Sequence, residues 1–68
     1  MRAIKEFRVC RRRDFRWVVR LGKATYGTYL DKEQAVLDAV EAARDERLAG
    51  RQARVWLHEP GGVNRIIF

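Results

Sequence analysis

Serine is missing from this chain altogether, and cysteine, histidine, proline and methionine occur once each. Without serine no Ser-centred catalytic triad can be assembled. The lone Cys10 cannot close an internal disulfide, and Cys10 with His58 falls short of a four-ligand zinc site. No metal, cofactor or small-molecule substrate is expected from this inventory, and the chain does not read as an enzyme. No apolar run approaches the ~18 residues of a membrane span. No hydrophobic stretch follows the first charges either, so insertion and secretion are not expected. A single thiol fits a reducing cytoplasm, the expected location.

Acidic residues are also scarce: nine against fifteen Lys and Arg, a net charge of +6. The imbalance is uneven along the chain. Residues 1–30 hold nine basic and two acidic side chains, residues 31–48 three and six, and residues 49–68 three and one. An acidic middle is thus flanked by basic segments, a distribution that suits one basic face meeting a polyanion.

With 68 residues the chain is expected to form a single small α+β domain spanning 1–68. A domain this small buries only about 60% of its unfolded surface. It depends on a tidy apolar core, which self-association would extend. The acidic middle reads as a helix over Lys32–Leu48, free of Gly and Pro and rich in alanine. Asp31 stands at the N-cap with Gln34 three residues on. Val36, Ala39, Val40 and Ala43 make the apolar stripe, with Gln34, Asp38, Glu41 and Asp45 opposite. Gly50 supplies the stop.

Elsewhere the period is two. Phe15, Trp17, Val19 and Leu21 alternate with Arg16, Val18 and Arg20, predicting a strand with the first set inward. Gly22-Lys23 turns into a strand over Ala24–Tyr29. A first strand over Ile4–Cys10 places Phe7 and Val9 inward, and Arg11-Arg12-Arg13-Asp14 joins it to the second. Ala53, Val55 and Leu57 point inward on a fourth strand, and Pro60-Gly61-Gly62 leads to a last one over Val63–Phe68. The predicted fold is a β-β-β-α-β-β antiparallel sheet with one helix packed on one face.

The strand residues facing away from the helix are then Arg8, Cys10, Arg12, Arg16, Val18, Arg20, Lys23, Thr25, Arg54, Trp56 and His58. Cys10 beside three arginines invites a catalytic reading, but the only imidazole lies forty-eight residues on, and an incidental thiol is the plainer account. Gly22-Lys23-Ala24-Thr25 resembles the end of a phosphate-binding loop. It lacks the upstream glycine and opens a strand rather than a helix.

Arginine pairs well with phosphate and with guanine edges, and a sheet carrying arginines can dock on a duplex. The expected partner is nucleic acid, DNA before RNA. Arg8, Arg12, Arg16, Arg20, Lys23 and Arg54 are the candidate phosphate contacts, and Trp56 is a candidate stacking platform. The alternative is a protein-interaction or homodimerisation module using the sheet face and the C-terminal strand Ile66-Ile67-Phe68, with Trp56 buried between copies.

Two family resemblances run through these segments. Arg16-Trp17-Val18-Val19, Tyr29 to Val36, Ala53 to His58, Gly62 and Phe68 are spaced as in the small bacterial domain of unknown function twenty-one eighty-eight. That resemblance covers roughly residues 9–68 and implies a fold without an established activity. Val9 to Leu21, Tyr26-Gly27-Thr28-Tyr29, Glu33 to Ala35, Ala42-Ala43 and Gly50 to Ala53 are similar to the AP-two type DNA-binding domain. This second resemblance implies a three-stranded sheet reading the major groove, with Arg12, Arg16 and Lys23 at DNA-contacting positions. The chain differs from that pattern at Cys10, Asp14, Arg20 and Thr25, and in the hairpin after Ala53.

Overall fold

The computed structural model describes residues 3–68. Strands β1 (Lys5–Arg11), β2 (Trp17–Leu21) and β3 (Ala24–Tyr29) precede helix α1 (Lys32–Leu48), and β4 (Ala53–His58) and β5 (Asn64–Ile66) follow it. They form one five-stranded sheet in the order β3-β2-β1-β4-β5, with α1 packed on one face.

The sheet is mixed. The β1–β2, β2–β3 and β4–β5 pairings are antiparallel as expected, whereas β1 and β4 run parallel. Connectivity explains this: two consecutive hairpins leave β3 pointing the same way as β1. The helix then carries the chain back across the sheet, so β4 starts level with the beginning of β1. A parallel neighbour requires such a crossover.

The helix begins and ends where its capping chemistry dictates. Asp31 Oδ1 accepts from the Gln34 backbone N–H at 2.8 Å, while the Gln34 amide turns instead to Asp38 at 3.3 Å. At the far end the Gly50 N–H donates to Arg47 O and the Arg51 N–H to Glu46 O, with Gly50 at φ 84°. These two bonds make a Schellman stop, for which glycine is the residue of least strain.

Ala35, Ala39 and Ala43 are fully buried along the helix and meet Phe7, Val9, Val19, Ala53, Val55 and Leu57 of the sheet. Three methyl-sized contacts let the helix axis lie close to the strands. Val36 and Val40, expected in the same stripe, sit on its flank and are only partly buried. Phe15 departs further from expectation: it is 70% exposed, with φ 66°, in the turn before β2. The chain reverses there before the alternation begins, and the Phe15 ring instead packs under the Arg11 guanidinium, 4.7 Å from its centroid.

The β2–β3 register shifts between Val19 and Arg20, so Val19 pairs with Gly27 and Arg20 with Thr25. The extra residue, Tyr26, lies edge-on to Phe7 at 5.7 Å. A bulge of this kind re-aims one side chain without disturbing the faces on either side of it. Gly27 makes room for the Tyr29 ring. A methyl there would sit 2.7 Å from Cζ of the Tyr29 ring, which lies over the glycine and reaches Asp38 of the helix.

Candidate nucleic-acid interface

Residues paired across neighbouring strands point to the same side of a sheet. The register therefore defines two rows on the face opposite the helix. One runs Thr25, Arg20, Arg8, Trp56, Ile66 from β3 to β5, and the other Thr28, Val18, Cys10, His58, Asn64. Glu6 pairs with Arg54 in a third, shorter row. Arg8, Arg20, Arg54 and Trp56, four of the predicted contacts, are thus brought together on one surface.

That surface divides into two halves. On the β1–β4 side, Glu6 accepts the Trp56 indole N–H at 2.8 Å and lies 3.6 Å from the Arg54 guanidinium and 3.9 Å from that of Arg8. Arg8 also stands 5.7 Å from the Trp56 ring centroid, a cation–π distance. Trp56 is half-buried, its polar atom bonded and its ring beside an arginine. Arg54 is largely neutralised. Glu6 is the residue that counting cations overlooks, although alternation from Arg8 and Cys10 puts it on this face.

On the β2–β3 side the cations are less encumbered. Arg20 is exposed and has no ion-pair partner among the described residues. Arg11, Arg12 and Arg20, with Cys10, Val18 and Thr25, line a shallow depression of about 290 Å³. Val18 forms its floor and is buried although it faces away from the helix. Arg12 and Arg16 flank Asp14 in the β1–β2 turn, at 3.3 and 4.0 Å. Arg16 also donates its backbone N–H to Asp14 Oδ1 at 3.2 Å, and Arg12 bonds backbone to backbone with Arg16 at 2.7 Å. Lys23 is exposed in the β2–β3 turn, at the opposite end of β2. The predicted contacts are therefore spaced along β2, with Arg16 in the turn before it, Arg20 on the bare face and Lys23 in the turn after it, and Arg8 on the neighbouring strand. Arg11 and Arg13 join them toward the β1–β2 turn; both stand in the basic run 11–13 and neither was among the predicted contacts.

Sequence distance is a poor guide to Cys10 and His58. The parallel pairing makes them direct neighbours on β1 and β4. No hydrogen bond joins them among the described residues; the Arg8 guanidinium instead donates to His58 Nε2 at 3.4 Å. Burial pushes the Cys10 thiol pKa up, partly offset by Arg20 and Arg8. A thiol held protonated is a weak nucleophile.

The acids lie elsewhere. Glu33, Glu41 and Asp45 are exposed on the helix, on the far side of the molecule from the bare face. Glu46 is held by Lys5 and Arg51, and Glu59 by Lys32, which keeps both carboxyls below the usual glutamate range. These pairs tie the two ends of the helix to the sheet rather than shield the cations along β2. No protein-family model matches the chain, and no curated protein or solved structure matches it.

Proposed function

We propose that this chain is a small nucleic-acid-binding protein that contacts the phosphates of duplex DNA through the bare, basic face of its sheet. The observation that carries this reading is the direct cross-strand pairing of Arg8 with Arg20. Like charges directly opposite one another destabilise a sheet. Arg20 has no carboxylate to relieve it among the described residues. A phosphate between the two guanidiniums would turn that repulsion into charge-assisted hydrogen bonds.

Dimensions favour the same half of the face. Five strands span about 19 Å, too broad for a major groove of ~12 Å, whereas β1, β2 and β3 span about 10 Å. The three-stranded half is the one that carries Arg20 and Lys23, which have no carboxylate partner among the described residues, while Arg12 and Arg16 share the single carboxylate of Asp14. From Arg16 to Lys23 the chain runs roughly 23 Å, about two-thirds of a duplex turn of ~34 Å. Arg8, Arg12, Arg16, Arg20 and Lys23 then supply about five phosphate contacts, with Arg54 and Trp56 at the margin.

Titration of labelled duplex DNA, single-stranded DNA and RNA at several salt concentrations tests this. With about five contacts, log K plotted against log salt should fall with a slope near −4 to −5. Binding indifferent to salt would overturn the mechanism, and absence of binding to all three would turn the reading toward a protein partner.

A further inference from the structure

The sheet has two open edges, and they are not alike. β5 is three residues long, follows Pro60, and carries Arg65 at its centre. Two β5 strands meeting antiparallel about that centre would set Arg65 against Arg65, a like-charge pair. Past Ile66 the chain keeps two backbone bonds to Val55 of β4, and the Ile67 and Phe68 side chains pack against the core.

β3 is the opposite case. Its six residues, Ala-Thr-Tyr-Gly-Thr-Tyr, contain no charge in a chain that is 35% charged. Of the usual protections of an edge strand, which are charge, proline, shortness and bulges, it keeps only the bulge at Tyr26. Leu30, next along the chain, is 78% exposed.

We propose that β3 is a self-association edge: two copies of this chain join antiparallel through Ala24–Tyr29 about a two-fold axis between Tyr26 and Gly27, making one continuous ten-stranded sheet. The pairing preserves the faces. Thr25 would oppose the partner's Thr28 on the bare side, and Ala24 the partner's Tyr29 on the helix side. Thr–Thr is a favourable cross-strand pair, and it occurs twice by symmetry. Beyond the strand ends, Lys23 of one copy would oppose Leu30 of the other and lie next to its Asp31 and Glu33. Two molecules of net charge +6 thereby meet along an uncharged strand with opposite charges at both ends. The bare faces fall on the same side and become parts of one surface. The inference does not depend on the nucleic-acid reading.

Sedimentation equilibrium of the full chain, without nucleic acid, tests it over a wide concentration range. The wild type should shift from one to two chains as concentration rises. Replacing both threonines by lysine (Thr25→Lys with Thr28→Lys) places lysine opposite lysine twice and should leave one chain. The combination Thr25→Lys with Thr28→Glu places lysine opposite glutamate twice and should restore two. Circular dichroism checks that both variants are folded; either one unfolded is replaced by Lys23→Glu, which should shift the equilibrium toward one chain. A wild type that stays single, a double-lysine variant that still pairs, or a lysine–glutamate variant that does not would each overturn the proposal.

Discussion

Glu6 shows how much one side chain decides on a small surface. It holds the Trp56 N–H and stands within ion-pair distance of Arg54 and Arg8, offsetting part of the positive charge on the β1–β4 half of the bare face. Glu6→Gln keeps an acceptor for the indole but removes the charge. If the bare face meets phosphates, the variant should bind duplex DNA more tightly by about fivefold, the equivalent of ~1 kcal/mol for one charge at ~4 Å in water. Fluorescence anisotropy at fixed salt reads this directly. Tyr29 is a second decisive residue. Burial, and after it the hydrogen bond and charge of Asp38, push its phenol up to about 12. Absorbance at alkaline pH should show one phenol ionising near 12, and Asp38→Asn should bring that step down. Because the folded value is raised, Tyr29 contributes stability that is complete below the ordinary phenol pKa near 10 and is lost as pH climbs from there through 12.

The helix is the element on which the fold closes, and its contact row is unusually small. Ala35, Ala39 and Ala43 have no exposed surface, so a larger group has nowhere to go. Ala39→Leu should cost about 1–3 kcal/mol through overpacking, a large share of the roughly 3–10 kcal/mol available to a domain of this size. Chemical denaturation would show it as a lower midpoint. At its ends the helix is tethered by Glu46 to Lys5 and Arg51, and by Lys32 to Glu59 of the β4–β5 turn. Both carboxyls titrate below their ordinary value because cations hydrogen-bond their charged form. Their stabilisation is therefore present above the unfolded glutamate pKa and lost as pH falls through the lower folded values. Combining Glu46→Gln with Glu59→Gln should lower stability modestly at neutral pH and flatten its decline under acid, so that wild type and variant converge at low pH, as measured by thermal melting across that range.

At the scale of the whole molecule, charge is sorted by layer: free carboxylates beyond the helix, arginines across the strands. If the sheet face is the docking surface, Arg16→Ala with Arg20→Ala should remove two phosphate contacts, and so about 2 units from the salt slope, while Glu41→Gln leaves it unchanged. The helix bounds, the β3 and β4 bounds and the inward sets Phe7-Val9 and Ala53-Val55-Leu57 were legible in the sequence. Capping groups and period-two or helical spacing act between residues that are near neighbours in the chain. The turn before β2 was less legible, because Phe15 continues the alternation in sequence while the backbone has already reversed. So was the site. Alternation alone put Arg8, Arg20, Arg54 and Trp56 on one face and required the acids of the helix to lie beyond it. Only the tertiary structure decided which of them stand side by side. The parallel β1–β4 pairing, created by the helical return, sets Glu6 against Arg54, Arg8 against Trp56 and Cys10 against His58. Sequence periodicity fixes the face of a side chain because that follows from local backbone geometry. Its neighbour on the next strand depends on strand order and register, which only closure of the whole sheet around its helix can set.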